Sequence, residues 1–207
     1  MPKVVDHDQR RAAIVAAAWT VIADEGIEAA TMRRVAEVAG CTTGGVTHYF
    51  GAKNEILVAA LRQVHYTAGT RMLGHIRTTR GTGTLRAVLL DALPLDDQRA
   101  VEWRVWLAFW GRAPADAALV QEQQHRYAEW RRLLEAVIGA IVGRRAGQEV
   151  RLLVDLVAGT IDGLGIQAVL EPSRFPAARL AAAVDALVDI VASRPQRRAH
   201  STAHDPS

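Results

Sequence analysis

Between residues 32 and 53 the chain reads MRRVAEVAGCTTGGVTHYFGAK, and most of its hydrogen-bonding side chains cluster after the cysteine. Thr42, Thr43, Thr47, His48 and Tyr49 follow within eight residues, with Gly44 and Gly45 among them. Hydroxyls, an imidazole and a phenol bond phosphate oxygens and base edges, and a threonine methyl can meet a thymine methyl. Bare glycines would let a backbone approach bases with no side chain between. A plain surface helix would display the same residues, so spacing alone leaves both readings open.

A second group is aromatic. Trp103, Trp106, Phe109 and Trp110, then Tyr127 and Trp130, hold four of the five tryptophans. Trp103, Trp106 and Trp110 stand at i, i+3 and i+7, so one helix would carry them as a stripe. Such a stripe serves either as core packing or as a pocket wall that takes planar apolar molecules or, through its ring faces, a cation. Asp162, inside an apolar run, can receive a cationic or hydroxylated ligand, or can bond a neighbouring helix or a dimer mate. His65 and Tyr66 can touch a ligand or pack as a hinge. Catalysis is not expected. The step Glu122–His125 (EQQH) has no second Glu-x-x-His, which a di-iron bundle requires, and neither a phosphate loop nor a nucleophile elbow occurs. Cys41 is the only cysteine, so no disulfide or cysteine-rich metal site is expected, and with no phosphate loop no cofactor is expected either.

The elements that must position these residues all read helical, with no period-2 segment. A first helix is expected over about Asp8–Asp24, with Ile14, Ala18, Val21 and Ile22 on one face and Gly26 at its end. Thr31 caps a short second helix that stops at Gly40, and Thr42 or Thr43 caps a third that reaches Phe50. Gly51 stops the third helix, and Asn54 is placed to cap a fourth. GTGT at 81–84, Pro94 and Pro114 mark further breaks. Longer helices follow over about Ala115–Val142, Gln148–Leu170 and Pro176–Ser193, and the polar residues 194–207 read as a disordered tail. Two short helices joined by a glycine-containing turn make a helix-turn-helix, with Val35, Ala36 and Ala39 set to meet Val46, Phe50, Ile14 and Ile22.

The segment from Arg11 to Leu57, including AAATMRRVAEVAGCTTGGVTHYFGAKNEIL, resembles the N-terminal domain of TetR-family transcriptional regulators. The resemblance rests on the threonine before the second helix, the Ala-x-x-Ala-Gly turn and the aromatic-Phe-x-x-Lys ending. It implies an all-α protein: a three-helix helix-turn-helix DNA-binding domain at 1–53, then a helical ligand-binding and dimerisation bundle at 54–193. It implies groove contacts from Thr43, Gly44, Gly45 and His48, a base or backbone contact from Arg33, and phosphate contacts from Thr31, Thr42, Tyr49 and Lys53. The family usually carries an aromatic residue where this chain has Thr47, so that phosphate contact is a departure, with His48 or Tyr49 as substitutes. EWRVWLAFWGRA and GTIDGLGIQAVL look like the BetI-like subgroup, whose choline and betaine ligands are not carried over. The expected partners are a near-palindromic double-stranded DNA operator, a small effector and a second copy of the chain.

Charge sharpens this picture. Residues 1–60 carry six cations against seven acids, so nucleic acid would be met by a local patch and not by a basic domain. Residues 61–90 hold Arg62, Arg71, Arg77, Arg80 and Arg86 and no acid, either as a solvated face or as phosphate ligands. No run approaches the ~20 apolar residues of a membrane span, and no membrane contact is expected. The N-terminus has no signal-like segment, so a cytoplasmic location is the default expectation. The apolar faces of the last two helices suit a four-helix dimer interface. A ligand-independent DNA-binding or nucleoid-type protein with a packed bundle is the alternative.

Overall fold

In the computed structural model the described residues are 3–143 and 147–193, and they form helices with no strand among them. The order is α1 (Lys3–Glu25), α2 (Met32–Val38), α3 (Thr43–Tyr49), α4 (Lys53–Thr78), α5 (Gly81–Asp91) and α6 (Asp97–Arg112). A 3₁₀ turn (Ala113–Ala115) leads into α7 (Ala117–Val142), α8 (Gln148–Leu170) and α9 (Ala177–Ala192). Residues 194–207, expected as a disordered tail, lie outside the described residues.

The first core brings Ile14, Ala18, Val21 and Ile22 of α1 against Val35 and Ala36 of α2, Val46 of α3, Phe50, and Ile56–Val64 of α4. Burying Val46 and Phe50 holds α3 down by roughly 1.5–3 kcal/mol each. Val105, Phe109 and Leu119 belong to this same core, so α6 and the start of α7 are packed onto the three-helix unit. The second core joins the later half of α4 with α5, α7, α8 and α9, and Trp106 packs against both.

Several expectations are corrected. Helix α1 begins at Lys3 instead of Asp8, since residues 3–8 contain no glycine or proline to prevent it. Asn54 does not cap α4. Its cap residue is Ala52, with no side-chain bond, while the Asn54 amide donates to Asp116 Oδ2 at 2.7 Å. Glu55 fastens the turn instead, accepting the Gly51 N–H at 3.1 Å. Helix α3 stops because Phe50 is extended (φ −138°), one residue ahead of Gly51. The break expected at GTGT falls at Thr79–Arg80, with Gly81 left-handed at φ +56°; the rest of GTGT opens α5, where burial of Thr84, Leu85, Val88 and Leu89 outweighs the helix cost of Gly83.

The arginines of residues 61–90 are structural where their partners are described. Arg62 pairs with Glu122, Arg86 with Asp185, and Arg71 reaches Glu102 at 2.7 and 2.8 Å and Asp91 at 3.2 Å. Helix α8 has the expected limits, but its hydropathy corrects the expectation of no span-like run: its best 18-residue window averages 1.6, enough for a membrane span by composition. It lies instead in the bundle, with Val150, Leu153, Val154, Val157 and Ile161 buried in the second core. Its outer face leaves Leu152, Leu156 and Leu170 exposed, and α9 leaves Ile190 exposed.

Candidate nucleic-acid interface and internal cavity

Helix α2 starts where the Thr31 hydroxyl oxygen accepts the Arg34 N–H at 3.2 Å, and α3 starts where Thr42 Oγ1 accepts the Gly45 N–H at 3.0 Å. Each cap stabilises its helix by about 1 kcal/mol and leaves the hydroxyl hydrogen free to donate outward, as a phosphate ligand must. Between them Gly40 adopts φ +65°, a left-handed conformation open to glycine at little cost. Cys41 N–H then bonds Ala36 O at 3.0 Å, and the chain turns sharply enough to set α3 across α2.

Only Val46 of α3 is buried; Thr43, Gly44, Thr47 and His48 are exposed and Gly45 is half-buried. A Cβ on Gly44 or Gly45 would meet nothing in the protein closer than 3.5 Å, so packing within the chain does not demand these glycines. Gly44 is bare towards the outside, whereas the bare side of Gly45 looks towards Thr42 and Cys41. Thr47 donates its hydroxyl to Gly44 O at 3.1 Å. Tyr49 is less free than expected: its half-buried ring lies 4.6 Å from His7 and 5.2 Å from His48. Arg33 is 85% exposed with its guanidinium 3.1 Å from Glu37. Lys53 donates to Glu28 O at 3.1 Å and stands 3.6 Å from its carboxylate, so a phosphate would compete with Glu28.

A clasp not legible in the sequence locks α2 to the end of α1. Arg34 grips Glu25 at 2.7 Å and Glu37 at 3.2 Å. The Arg34 hydrogen bond holds the Glu25 carboxyl below its usual range, and Arg33 and then Arg34 do the same for Glu37. Helix α6 reaches the same unit from behind. Arg104 Nε donates to Ala23 O at 3.1 Å and its guanidinium stands 3.8 Å from Asp24, while Arg112 pairs with Glu28.

The opposite side of α6 faces a cavity of about 140 Å³ lined by residues of α4, α6, α7 and α8. Of the expected ligand residues, His65, Trp103, Trp106, Trp110, Tyr127, Trp130 and Asp162 line it together. Two do not. Tyr66 is 72% exposed, in an outer groove with Asp8, Arg11 and Gln63, because it lies one residue, about 100° of helix, from His65. Phe109 is buried in the first core, on the far side of α6. Met72, Gln123, Arg126 and Glu129 also line the cavity; their side chains gave no signal in the sequence.

Trp103 is held firmly. Its Nε1 donates to Ala92 O at 2.9 Å, and its ring rests where a Cβ on Gly165 would be. It meets Trp106 and Trp110 edge-on, at centroid distances of 5.4 and 5.6 Å. His65 stacks on Trp106 at 5.5 Å, and Trp110 lies nearly parallel to Tyr127 at 6.2 Å. The Tyr127 hydroxyl donates to Asp162 Oδ2 at 2.9 Å. Burial raises the Asp162 carboxyl above its usual value, against the lowering effects of that hydrogen bond and of Arg131. Burial, aided by Arg126, lowers His65 to about 3, so its imidazole is neutral at pH 7. Four wall atoms are buried without a hydrogen-bond partner among the described residues: His65 Nε2, Trp106 Nε1, Trp110 Nε1 and Gln123 Oε1. Such groups cost about 1–3 kcal/mol each when left unpaired, and they gather round one cavity. Glu122 and His125 diverge, the former buried between Arg62 and Arg126, the latter exposed beside Glu129, so EQQH forms no paired ligand site.

Residues 14–60 match the model of the tetR family of bacterial regulatory proteins, and residues 82–192 match the C-terminal domain of BetI-type transcriptional repressors. The HTH-type transcriptional regulator BetI of Burkholderia ambifaria is 31% identical over 174 residues, covering 82% of this chain and 87% of that protein. The regulator PksA of Bacillus subtilis is 27% identical over 175 residues, covering 84% and 85%. A transcriptional regulator from Rhodococcus sp. Rha1 superposes with a TM-score of 0.80 at 30% identity, over 87% of this chain and 95% of that one. A regulator from Saccharomonospora viridis, solved in complex with choline, has the same fold at 23% identity (TM-score 0.79; 88% and 96% covered).

Proposed function

The chain belongs to the tetR family of bacterial regulatory proteins, and from that membership we propose that it is a repressor released from a near-palindromic operator by a small, partly apolar or cationic effector. It is a DNA-binding transcriptional regulator and not an enzyme. On this reading α3 enters the major groove, with Thr43, Gly44, Gly45 and His48 at base edges and Arg33 at a base or the flanking backbone. Thr31, Thr42, Tyr49 and Lys53 bond phosphates on either side. A second copy docks on the exposed leucines of α8 and on α9, so that two reading heads face successive half-sites.

The observation that carries the reading is the double role of α6. Trp103, Trp106 and Trp110 stand on its cavity side, while Arg104 and Arg112 hold Ala23, Asp24 and Glu28 of the reading head. Helix α4 runs parallel to this route, with His65 and Met72 at the cavity and Asn54 tied to Asp116 at its start. An effector that wedges the aromatic wall moves both helices against the three-helix unit and alters the separation of the heads. It acts only through unequal affinity for the two arrangements. A ligand-independent packed bundle is disfavoured by the cavity itself and by the unpaired polar atoms in its wall. Fluorescence anisotropy of the purified protein on a labelled operator, with and without a cavity ligand, tests the coupling. Operator affinity that stays the same at saturating ligand refutes it.

A further inference from the structure

With the cavity taken as the effector site, a reading on which this inference rests, its walls also narrow the chemistry of the occupant. We infer that the effector is a protonated arylalkylamine with an oxygen on its ring: a flat apolar body, an N–H-bearing cation at one end and a hydrogen-bond acceptor at the other.

Shape comes first. The walls are largely aromatic faces and edges, and about 140 Å³ accommodates one ring with a short chain. Charge is next. Tyr127 occupies only Oδ2 of Asp162, which leaves Oδ1 available to a ligand. Arg126 is engaged by Glu122 and Glu129, and His65 is neutral, so no free cation in the wall opposes a positive ligand.

Hydrogen bonding then separates the kinds of cation. Gln123 stands one turn before Tyr127 on α7, on the same face, and its side-chain carbonyl has no partner among the described residues. Two acceptors near one end ask for N–H donors. A quaternary ammonium has none and would seal both acceptors away unpaired, whereas a primary ammonium can bond each of them. The indole N–H groups of Trp106 and Trp110 are donors only and also unpartnered, so the ligand must offer an acceptor as well. A ring hydroxyl or ether supplies it.

Isothermal titration of the full-length protein with four probes tests this: tyramine, phenethylamine, p-cresol and choline. Tyramine is expected to bind tightest. Removing the hydroxyl (phenethylamine) or the amine (p-cresol) should each weaken binding about tenfold or more, with choline no better than either. Asp162→Asn should weaken tyramine about tenfold or more and leave p-cresol unchanged, a split that general damage to the fold does not produce. Choline binding as tightly as tyramine, Asp162→Asn weakening both phenols alike, or no amine binding at millimolar concentration overturns the inference. Operator anisotropy in parallel separates the two claims. Choline that binds and releases the operator removes the amine assignment and keeps the regulator. Tyramine that binds with operator affinity unchanged keeps the assignment and removes the coupling.

Discussion

Replacing Gly165 by alanine places a methyl group inside the Trp103 indole. The new Cβ would lie 2.0 Å from Cη2 and Cζ2 and 2.5 Å from Cε2. Carbon atoms rest about 3.5–4.0 Å apart, so the ring must retreat by roughly 1.5–2 Å. It is only 2% exposed, and the free volume beside it is the cavity it lines. Its Nε1, bonded to Cε2, is also tied to Ala92 O at 2.9 Å. Overpacking costs about 1–3 kcal/mol, and a ring that swings aside adds about 1–3 kcal/mol for the broken buried hydrogen bond. The sum, about 2–6 kcal/mol, is a large part of a typical stability of about 5–15 kcal/mol. At about 2–4 °C per kcal/mol for a chain of this size, Tm should fall by about 5–20 °C. Circular dichroism melts measure it, with Gly74→Ala as control. That glycine is exposed in mid-helix α4 and a Cβ there meets nothing within 4 Å, so the control should be neutral or gain up to about 1 kcal/mol. A Gly165→Ala melt within 2 °C of the parent, with near-ultraviolet tryptophan signals intact, would refute the idea that this glycine is the seat of Trp103.

Three further outcomes are expected. Thr47→Tyr puts a longer phenol on the exposed face of α3 and should tighten operator binding about fivefold, one hydrogen bond's worth; anisotropy giving equal or weaker affinity means that His48 and Tyr49 already serve the phosphate. Arg104→Ala combined with Arg112→Ala cuts the grip of α6 on Ala23, Asp24 and Glu28. Effector affinity by calorimetry should stay close to the parent's while operator release shrinks several-fold; an undiminished release places the coupling elsewhere, in α4. His65, lowered to about 3 by burial, binds fewer protons folded than unfolded, so its contribution to stability is full above about 6.5 and is lost as the pH falls from there towards 3. Urea midpoints at pH 7 and 5.5 should therefore show about 1 kcal/mol less acid loss in His65→Gln than in the parent, and parallel pH profiles would contradict a buried neutral imidazole.

The reading head was legible because its determinants are local. A threonine cap bonds an N–H three residues on, a left-handed glycine turns the chain where it stands, and apolar residues at helical spacing mark one face. Thr31, Gly40, Thr42, Val46 and Phe50 each signal their role within a window of four residues, and the structure honours all of them. The limits of α7, α8 and α9 were legible on the same terms. Tertiary structure decided whatever depends on the neighbour that arrives from far along the chain. Asn54 bears the side chain of a cap, yet Asp116, 62 residues away, claims it, and Glu55 takes over the turn. The arginines of residues 61–90 looked alike until acids on other helices sorted them. Trp103 and Phe109 share one helix and one hydrophobic character. Gly165 of α8 receives the first beside a cavity, while α1 and α4 take the second into a closed core. Periodicity puts side chains on faces, but only the packing of helices distant in sequence settles which face closes over apolar neighbours and which is left with unpaired donors and acceptors for something else to fill.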